Sequence, residues 1–238
     1  MRVRVEWVPR DDGSPRPVPP GWPADRARWT GVAIDVLRAT STLTVALANG
    51  AARVVPLASP EEALAFRARS NGVLACGERD GRKVPGFDLG NSPLEYTRER
   101  VAGRTLAFAS TNGSRALRSL AGSGQIALAS FLNVTAVVDQ LEREAWVLIV
   151  CAGQLRSFAL EDAACAGWLC AAWERRGARL EGAAAICAPA LAPRDAAGVR
   201  AVLEGSSHGR ALRRLGPAFA ADVDFCAALD SRRDVAFL

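Results

Sequence analysis

The sequence predicts an α/β fold made of two similar three-layer α/β/α halves with largely parallel or mixed sheets. Short apolar segments alternate with helical segments along most of the chain, a pattern typical of parallel sheets flanked by helices. Segments 33–57 and 106–128 also share one order of strand, Thr/Ser turn, helix, glycine stop and strand, and 147–170 is a looser copy. We interpret the repeat as two related halves, with a chance resemblance between generic β-loop-α units as the alternative.

Short apolar segments predict the strands, which are 2–8, 32–34, 54–55, 73–75, 106–108, 125–129 and 146–150. The predicted helices are 43–48, 60–69, 115–120, 135–144, 160–175, about 194–204, about 210–215 and a helical tail to Leu229. Several helix ends carry the expected residues. Asn49-Gly50 is a good stop for the first helix, and Ser59 with Glu62 three residues later predicts a cap for the second.

Two segments break the alternation and are predicted as loops. Residues 9–30 carry repeated prolines and charges, which indicates a surface excursion. Residues 77–97 contain four glycines and two prolines but also Phe87, Leu89 and Leu94, as an ordered loop or lid would. We therefore expect an N-terminal strand and Pro-rich insertion over 1–30, a first half over 31–130 and a second over 131–238, packed as one unit.

Composition favours a folded enzyme-sized protein over the other classes. The 238 residues are 50% hydrophobic and 23% charged, which argues against disorder. No membrane span or secretory leader is visible, so we expect a cytoplasmic protein. The net charge of +5 comes from scattered arginines without interleaved aromatic residues, so neither nucleic acid nor a membrane is an expected partner.

The cysteines and the single histidine exclude several kinds of site. The six cysteines form no C-x-x-C pair and sit mostly in apolar surroundings, where reduced thiols behave as small hydrophobes. His208 is the only histidine. A histidine-rich metal site is therefore excluded, and a Ser-His-Asp triad would depend on that one residue.

Three polar loops follow predicted strands, where α/β sheets bind their ligands. In the first, Asp35 could bind a hard cation, Arg38 could bind two phosphate oxygens, and Thr40, Ser41 and Thr42 lead into a helix N-terminus that favours an anion. A capped helix with a solvated aspartate is the alternative interpretation.

The second loop repeats this theme, and the third adds acidic residues. Thr111, Asn112 and Gly113 lead into a helix with Arg115 in its first turn, although an ordinary cap with a glycine turn would have the same sequence. Glu161 and Asp162 open the helix after the last strand. The helix dipole alone favours acidic residues there, but with Asp35 they would complete a Mg²⁺ site.

Rival phosphate chemistries fit the sequence poorly. Asp35 is followed two residues later by Leu37, so the Asp-x-Asp of phosphoaspartate enzymes is missing. Cys76 and Arg82 have the C-x5-R spacing of cysteine phosphatases, but acidic residues lie between them and Pro85 and Gly86 prevent the helix that should follow. Neither a Walker P-loop nor a G-x-G-x-x-G after a strand is present.

Five motifs in these loops resemble the 2-phosphosulfolactate phosphatase family in content and order. They are IDVLRATST (34–42), GERDGRKVPGFDLGNSPLEY (77–96), STNGSRAL (110–117), SFLN (130–133) and CAG…FALEDAACAG (151–167). The resemblance runs from about residue 30 to 230. It implies a Mg²⁺-dependent phosphatase that converts 2-phospho-3-sulfolactate to 3-sulfolactate and phosphate in coenzyme M biosynthesis, two similar α/β/α halves and a homodimer.

The sequence departs from the family pattern at three places. Gln154-Leu155-Arg156 replaces the usual Gly-containing turn beside the expected crevice, 9–30 resembles an insertion, and Val235-Ala236-Phe237 replaces a Val-Pro close. The changed turn keeps two alternatives open: a phosphatase of another small phospho-acid, and an inactive homologue that binds a phosphorylated metabolite.

Residue roles follow from placing the family's chemistry on these loops. We expect Mg²⁺ on Asp35, Glu161 and Asp162, and an acid or base from Glu78 or Asp88. The phosphate of a small anionic substrate would be bound by Arg38, Thr40, Ser41, Thr42, Thr111, Asn112, Gly113 and Arg115. The sulfonate end would be covered by Arg79, Asn91 and Ser92.

Overall fold

The computed structural model describes residues 1–10, 12, 14–15 and 17–238 and has an α/β fold with two mixed sheets, which confirms the predicted class. The strands are β1 (Arg2–Glu6), β2 (Thr30–Ile34), β3 (Arg53–Pro56), β4 (Val73–Arg79), β5 (Arg82–Lys83), β6 (Thr105–Ala109), β7 (Gln125–Ala129), β8 (Trp146–Cys151), β9 (Arg179–Gly182) and β10 (Ala236–Phe237). The predicted loop over 9–30 includes Asp11, Gly13 and Arg16, which lie outside the described residues.

The helices pack on these sheets and close one end of the molecule. They are α1 (Ala39–Ala48), α2 (Pro60–Ala68), α3 (Arg98–Val101), α4 (Gly113–Ser119), α5 (Val134–Gln140), α6 (Leu160–Arg175), α7 (Ala184–Leu191), α8 (Ala196–Gly205), α9 (Ser207–Leu215) and α10 (Pro217–Cys226). Short 3₁₀ helices lie at Arg26–Arg28 and Pro93–Glu95. No helix in the described part of the chain is both long and apolar enough to cross a bilayer.

The larger sheet has the strand order β10-β7-β2-β8-β1-β9 and is parallel except for β10. Its central strand β2 is buried along its whole length, as expected for a parallel strand covered on both faces. Ile34, at the end of β2, pairs with Ala129 of β7 and Cys151 of β8. The carboxyl ends of these three strands are therefore level, and the polar loops that follow them meet.

The smaller sheet has the order β3-β6-β4-β5 and is formed entirely from residues 53–109. Its strand β4 continues to Arg79, where the sequence predicted loop, and turns back through β5 in a short hairpin. Gly77 allows this extension. It pairs with Ala109 of β6, and a Cβ added to it would lie 1.9 Å from the Ala109 carbonyl oxygen.

The domain ranges stay a prediction. All three predicted ranges supply strands to the larger sheet, whereas the smaller sheet lies within the range 31–130. The chain thus leaves the larger sheet after β2, builds the smaller one and returns at β7.

The core fills both faces of the larger sheet because successive side chains of each strand point to opposite sides. Val32 and Ile34 of β2 pack with α5, α6 and α7, while Ala33 between them packs with α1 and α4. All six cysteines are buried and unpaired by disulfides, as predicted. Burial raises the pKa of each thiol, which keeps it protonated and unreactive.

Element prediction was accurate in the middle of the chain and weaker in its last quarter. Strand β7 and helix α6 have the predicted bounds. Strands β9 and β10 and helix α7 were not predicted, and α9 already begins within 205–209, where a loop was expected. Ser206 caps α9 by accepting a hydrogen bond from Gly209 N at 2.9 Å.

Candidate functional site

A cavity of about 260 Å³ opens where the loops after β2, β6 and β8 meet the β4–β5 hairpin and α9. It is lined by Asp35, Leu37, Arg38, Glu78, Asp80, Gly81, Asn91, Thr111, Asn112, Gln154, Leu155, His208, Ala211, Leu212 and Leu215. The predicted loops therefore converge, which is the placement expected at the carboxyl ends of parallel strands.

Asp35 is a buried carboxylate at the tip of β2, with 6% of its surface exposed. Its Oδ1 accepts a hydrogen bond from Ala39 N at 3.2 Å, and its backbone is fixed by Thr40, whose Oγ1 also contacts the Ala129 carbonyl. Burial raises the pKa of Asp35 to about 6, and the charges of Glu78 and Glu161 add to the shift while His208 opposes it.

Asp162 joins two of the loops. Its carboxylate oxygens accept hydrogen bonds from Val36 N at 2.9 Å and from Gly153 N at 3.0 Å. Burial, followed by the charges of Asp35 and Glu161, raises the pKa of Asp162 well above its usual range. Asp162 therefore holds the loops after β2 and β8 together, and both its oxygens already have backbone donors.

Buried Glu161 and partly exposed His208 form a pair beside Asp35. Glu161 Oε1 lies 3.3 Å from His208 Nδ1, and the Glu161 side chain is 1% exposed. Glu161 Oε2 is buried and has no hydrogen-bond partner among the described residues. One oxygen thus orients the imidazole, and the other is left for a further ligand.

Glu78 forms a wall of the cavity and is held by three hydrogen bonds. Its oxygens accept from Thr111 N at 2.7 Å, Thr111 Oγ1 at 3.2 Å and Gly81 N at 2.8 Å. Asp88, the other predicted acid or base, is not brought to the cavity. It accepts from Ala75 N and pairs with Arg67 at the surface of the smaller sheet.

The hydroxyl groups of the first loop are used inside the protein. Ser41 Oγ donates to the Val36 carbonyl and Thr42 Oγ1 to the Asn91 carbonyl. Arg38 lines the cavity, but its guanidinium pairs with Asp222 of α10 and donates to the Gly81 carbonyl. In this arrangement these groups hold the cavity together.

The other predicted binding residues divide between two places. Ser92 donates to Asp222, while Asn91 and Asn112 line the cavity. Gly113 lies against Asp35, since a Cβ added there would be 2.7 Å from Asp35 Oδ2. A second pocket of about 360 Å³ shares Thr111, Asn112 and Leu155 with the cavity, and its other lining residues are Ala58, Arg79, Ser110, Arg115 and Arg156.

The donor groups of the cavity suit a hydrated hard cation better than a ready-made metal cage. No three His, Cys, Asp or Glu side chains converge as a metal-binding group in the part of the chain that the structure describes. Three buried oxygen acceptors at or beside the cavity nevertheless lack hydrogen-bond partners among the described residues: Glu161 Oε2, Asn91 Oδ1 and Asn112 Oδ1. Mg²⁺ keeps several waters and commonly binds one or two carboxylates, so its waters could donate to such acceptors.

His208 is the main site residue that the sequence analysis did not assign. It lies in the first turn of α9, a helix whose start was predicted three residues too late. Two features of the sequence could have indicated it: His208 is the only histidine, and Ser206, a residue that favours helix N-caps, lies two positions before it. The contribution of α9 through Leu212 and Leu215 had no sequence signal.

Comparison with known proteins connects this cavity to a family. A family model described as 2-phosphosulpholactate phosphatase matches residues 18–238. A protein of Thermotoga petrophila named probable 2-phosphosulfolactate phosphatase is 43% identical over 201 residues, which cover 84% of this chain and 85% of the relative. Relatives with the same name from Symbiobacterium thermophilum and a Synechococcus strain are 45% and 41% identical, over 83% and 91% of this chain and 86% and 90% of their own.

Proposed function

The chain belongs to the 2-phosphosulpholactate phosphatase family, and we propose that its cavity hydrolyses 2-phospho-3-sulfolactate to 3-sulfolactate and phosphate with Mg²⁺. The activity is that of a phosphoric monoester hydrolase. The observation that carries the proposal is the group of Asp35, Glu161 and His208. It consists of two buried carboxylates and an imidazole, and it lies where the loops after β2, β6 and β8 meet.

The donor set indicates how Mg²⁺ would be held. Asp35 and the free oxygen of Glu161 are the proposed ligands, and the amide oxygens of Asn91 and Asn112 would accept hydrogen bonds from its waters. Asp162, predicted as a third ligand, is assigned instead to positioning because its oxygens hold backbone N–H groups. When bound, the ion supplies a charge that polarises a phosphoryl oxygen and lowers the pKa of water.

A side chain of the protein would transfer the proton to the leaving oxygen. Water attacks phosphorus and gives up one proton, the bond from phosphorus to the C2 oxygen breaks, and that oxygen takes up one proton as sulfolactate leaves, so the proton released by the water balances the proton taken up. We assign this transfer to His208, whose Nδ1 faces Glu161 and which lines the cavity. Glu78 is a poorer candidate, since its oxygens already accept three hydrogen bonds.

Phosphate release from 2-phospho-3-sulfolactate tests the proposal directly. We expect turnover with Mg²⁺, loss of turnover when EDTA is in excess, and recovery when Mg²⁺ is restored. Activity that survives complete chelation would remove the metal from the mechanism. No release under any condition would favour the inactive homologue, which should then gain thermal stability on binding a phosphorylated acid.

A different small phospho-acid is the second candidate, and one observation favours it. The turn at the edge of the cavity has left-handed backbone at Leu155 and Arg156, with φ of 48° and 65°, where the family usually has a glycine-containing turn. A panel of 2-phospho-acids with and without a sulfonate would separate the two, because a better substrate without the sulfonate would replace phosphosulfolactate.

We also propose a homodimer, on the strength of the family resemblance alone, and a cytoplasmic location, as the sequence predicts. Light scattering coupled to gel filtration tests the assembly, and a mass equal to one chain would contradict it.

A further inference from the structure

The second pocket carries a charge opposite to that of its neighbour. Arg79 ends β4, Arg115 lies in the first turn of α4 and Arg156 lies in the turn after β8, so three separate elements bring arginines to one concavity. None of the described residues that line it is acidic. The adjoining cavity, in contrast, is lined by Asp35, Glu78 and Asp80.

The two concavities share a wall, so one small molecule could occupy both. Thr111, Asn112 and Leu155 line each of them. Ser110, the residue after β6, and Thr111 also line the pocket, and their hydroxyls are held in place by Ser114 N and by Glu78. Guanidinium groups with nearby hydroxyls are the usual protein partners of oxyanions such as carboxylate, phosphate or sulfonate.

The substrate of the proposed function carries three anionic groups, a phosphoryl group, a carboxylate and a sulfonate, and two of them fit this division. Its phosphoryl group needs a cation and a proton donor, which the carboxylate cavity could supply. Its sulfonate keeps its charge at every physiological pH and takes no part in the chemistry. A carboxylate-lined cavity would repel that group unless another surface bound it, and the neighbouring arginines offer such a surface.

We propose that the pocket formed by Arg79, Arg115 and Arg156 binds the sulfonate end of the substrate, and that Arg156 is a specificity-determining residue. The inference rests on the proposed function. It differs from the expectation from sequence, in which Asn91 and Ser92 covered the sulfonate beside Arg79. Neither of those two residues lines the arginine pocket: Asn91 lines the carboxylate cavity, and Ser92 donates to Asp222.

The local backbone explains how Arg156 reaches the pocket. Gln154 and Ser157 exchange two backbone hydrogen bonds of 2.9 Å, and Leu155 and Arg156 between them both have positive φ. This is the two-residue turn that asparagine and glycine normally favour. Leu155 and Arg156 adopt this unfavourable left-handed backbone here, and their side chains then line the arginine pocket.

The test compares two substrates that differ only in the sulfonate. For Arg156→Ala we expect KM for 2-phosphosulfolactate to rise about 10- to 100-fold, the range for losing a charged hydrogen bond, while kcat stays within about threefold. Kinetics on 2-phospholactate, which lacks the sulfonate, should be unchanged. Arg156→Lys should restore part of the loss, because it keeps the charge without the two-pronged geometry.

The matched control is Arg200→Ala, which removes an exposed arginine of α8 that lines neither concavity. It should leave both substrates unaffected. Equal losses on the two substrates in Arg156→Ala would overturn the inference, because they would indicate a role in phosphate binding or in folding. No change on either substrate would also overturn it.

Product binding separates this inference from the proposed function. Calorimetry with 3-sulfolactate and with lactate should show that the wild-type protein prefers the sulfonate and that Arg156→Ala loses the preference, whether or not any ester is hydrolysed. A preference without turnover would leave the pocket assignment standing and refute the proposed activity. Equal binding of both acids by the wild-type protein would refute the pocket assignment.

Discussion

Asp35 shows how one buried charge ties function to stability. Its pKa is raised to about 6 chiefly by burial, so the folded protein holds the proton more tightly than the unfolded chain, in which the value is near 3.8. At pH values between 3.8 and about 6, unfolding releases a proton from the Asp35 carboxyl. The contribution of Asp35 to the free energy of unfolding therefore falls as the pH rises through this range. At higher pH the full cost of burying the ionised carboxylate remains.

Removing this charge should stabilise the protein when no metal is present. At pH 8 in EDTA we expect Asp35→Asn to raise the free energy of unfolding by about 2–3 kcal/mol. The gain should shrink to less than about 1 kcal/mol near pH 4, where the carboxyl is protonated in the folded state and only partly ionised in the unfolded state. Urea denaturation at several pH values measures it. Asp234→Asn, at an exposed position, is the control. A gain of equal size at pH 4 would mean that ionisation is not its cause.

The pair of His208 and Glu161 leads to a prediction about the rate. Without the imidazole, proton transfer has no group to carry it, so His208→Ala should lower kcat about 100- to 1,000-fold. Glu161→Gln should lower it as well, because Oε1 contacts the imidazole and Oε2 is a proposed metal ligand. Steady-state kinetics at saturating Mg²⁺ measures both variants. A kcat within threefold of wild type in His208→Ala would contradict the assignment.

At the level of residues, the sequence was informative where a side chain follows a strand directly. Asp35 and Thr111 were singled out for that reason, and Glu161 because it opens the helix that follows β8; all three lie at or beside the cavity. The sequence could not show which polar groups are used internally. Arg38 and Thr42 have phosphate-binding chemistry, but their partners, Asp222 and the Asn91 carbonyl, are distant along the chain.

At the level of elements, Gly77 permits the close approach of β4 and β6. Its φ is +128°, and an added Cβ would lie 1.9 Å from the Ala109 carbonyl oxygen. We expect Gly77→Ala to destabilise the protein by about 3 kcal/mol or more, since the backbone of β6 must move. Urea denaturation measures the loss.

Gly72 provides the matched control. It also has a positive φ, +76°, but no atom of the described residues lies within 4 Å of an added Cβ. Gly72→Ala should therefore cost only the conformational strain, about 1 kcal/mol. Similar losses for the two variants would show that strain rather than the close contact decides the cost.

Elements with a clear period or cap were predictable, and those defined by tertiary contact were not. Helix α2 has its predicted cap, with Glu62 N donating to Ser59 Oγ at 3.2 Å. Strand β10 has two residues and exists because it pairs with β7. Helix α7 contains Pro189, a residue that argues against a helix from sequence, yet α7 packs closely on α6.

For the whole molecule, the ion pair of Arg38 and Asp222 joins the first site loop to the C-terminal helices. Both side chains are almost fully buried, at 4% and 2% exposure, and Asp222 also accepts from Ser92. Asp222→Ala would leave the guanidinium buried without its counter-charge, so we expect a loss of about 3 kcal/mol or more. The double variant Arg38→Met with Asp222→Leu should recover part of it.

The exposed ion pair of Asp139 and Arg176 is the control for the buried pair of Arg38 and Asp222. Asp139 lies 2.6 Å from Arg176 with 58% of its side chain exposed, and Asp139→Ala should cost less than about 1 kcal/mol. Thermal or urea unfolding measures the stability loss in Asp222→Ala, in the double variant and in Asp139→Ala. A loss in Asp222→Ala no greater than that in Asp139→Ala would show that the buried pair does not hold the C-terminal helices in place.

The architecture as a whole was predictable only in class. Alternating strands and helices indicated α/β, but nothing in the periodicity showed that residues 53–109 form a separate sheet. Strand partners are set by packing between distant segments, and β1 shows this best, since it lies between β8 and β9 rather than beside β2.

That interleaving has a consequence for how the polypeptide matures on the ribosome. Arg2 is paired with Trp146 and Thr30 with Val147, so the first two strands wait without their common neighbour until more than half of the translation is complete. The sheet within 53–109 can assemble much earlier from nearby segments. Nascent chains should therefore carry a formed minor sheet beside unpaired apolar strands, a state that chaperones would recognise and that slow folding would expose to aggregation.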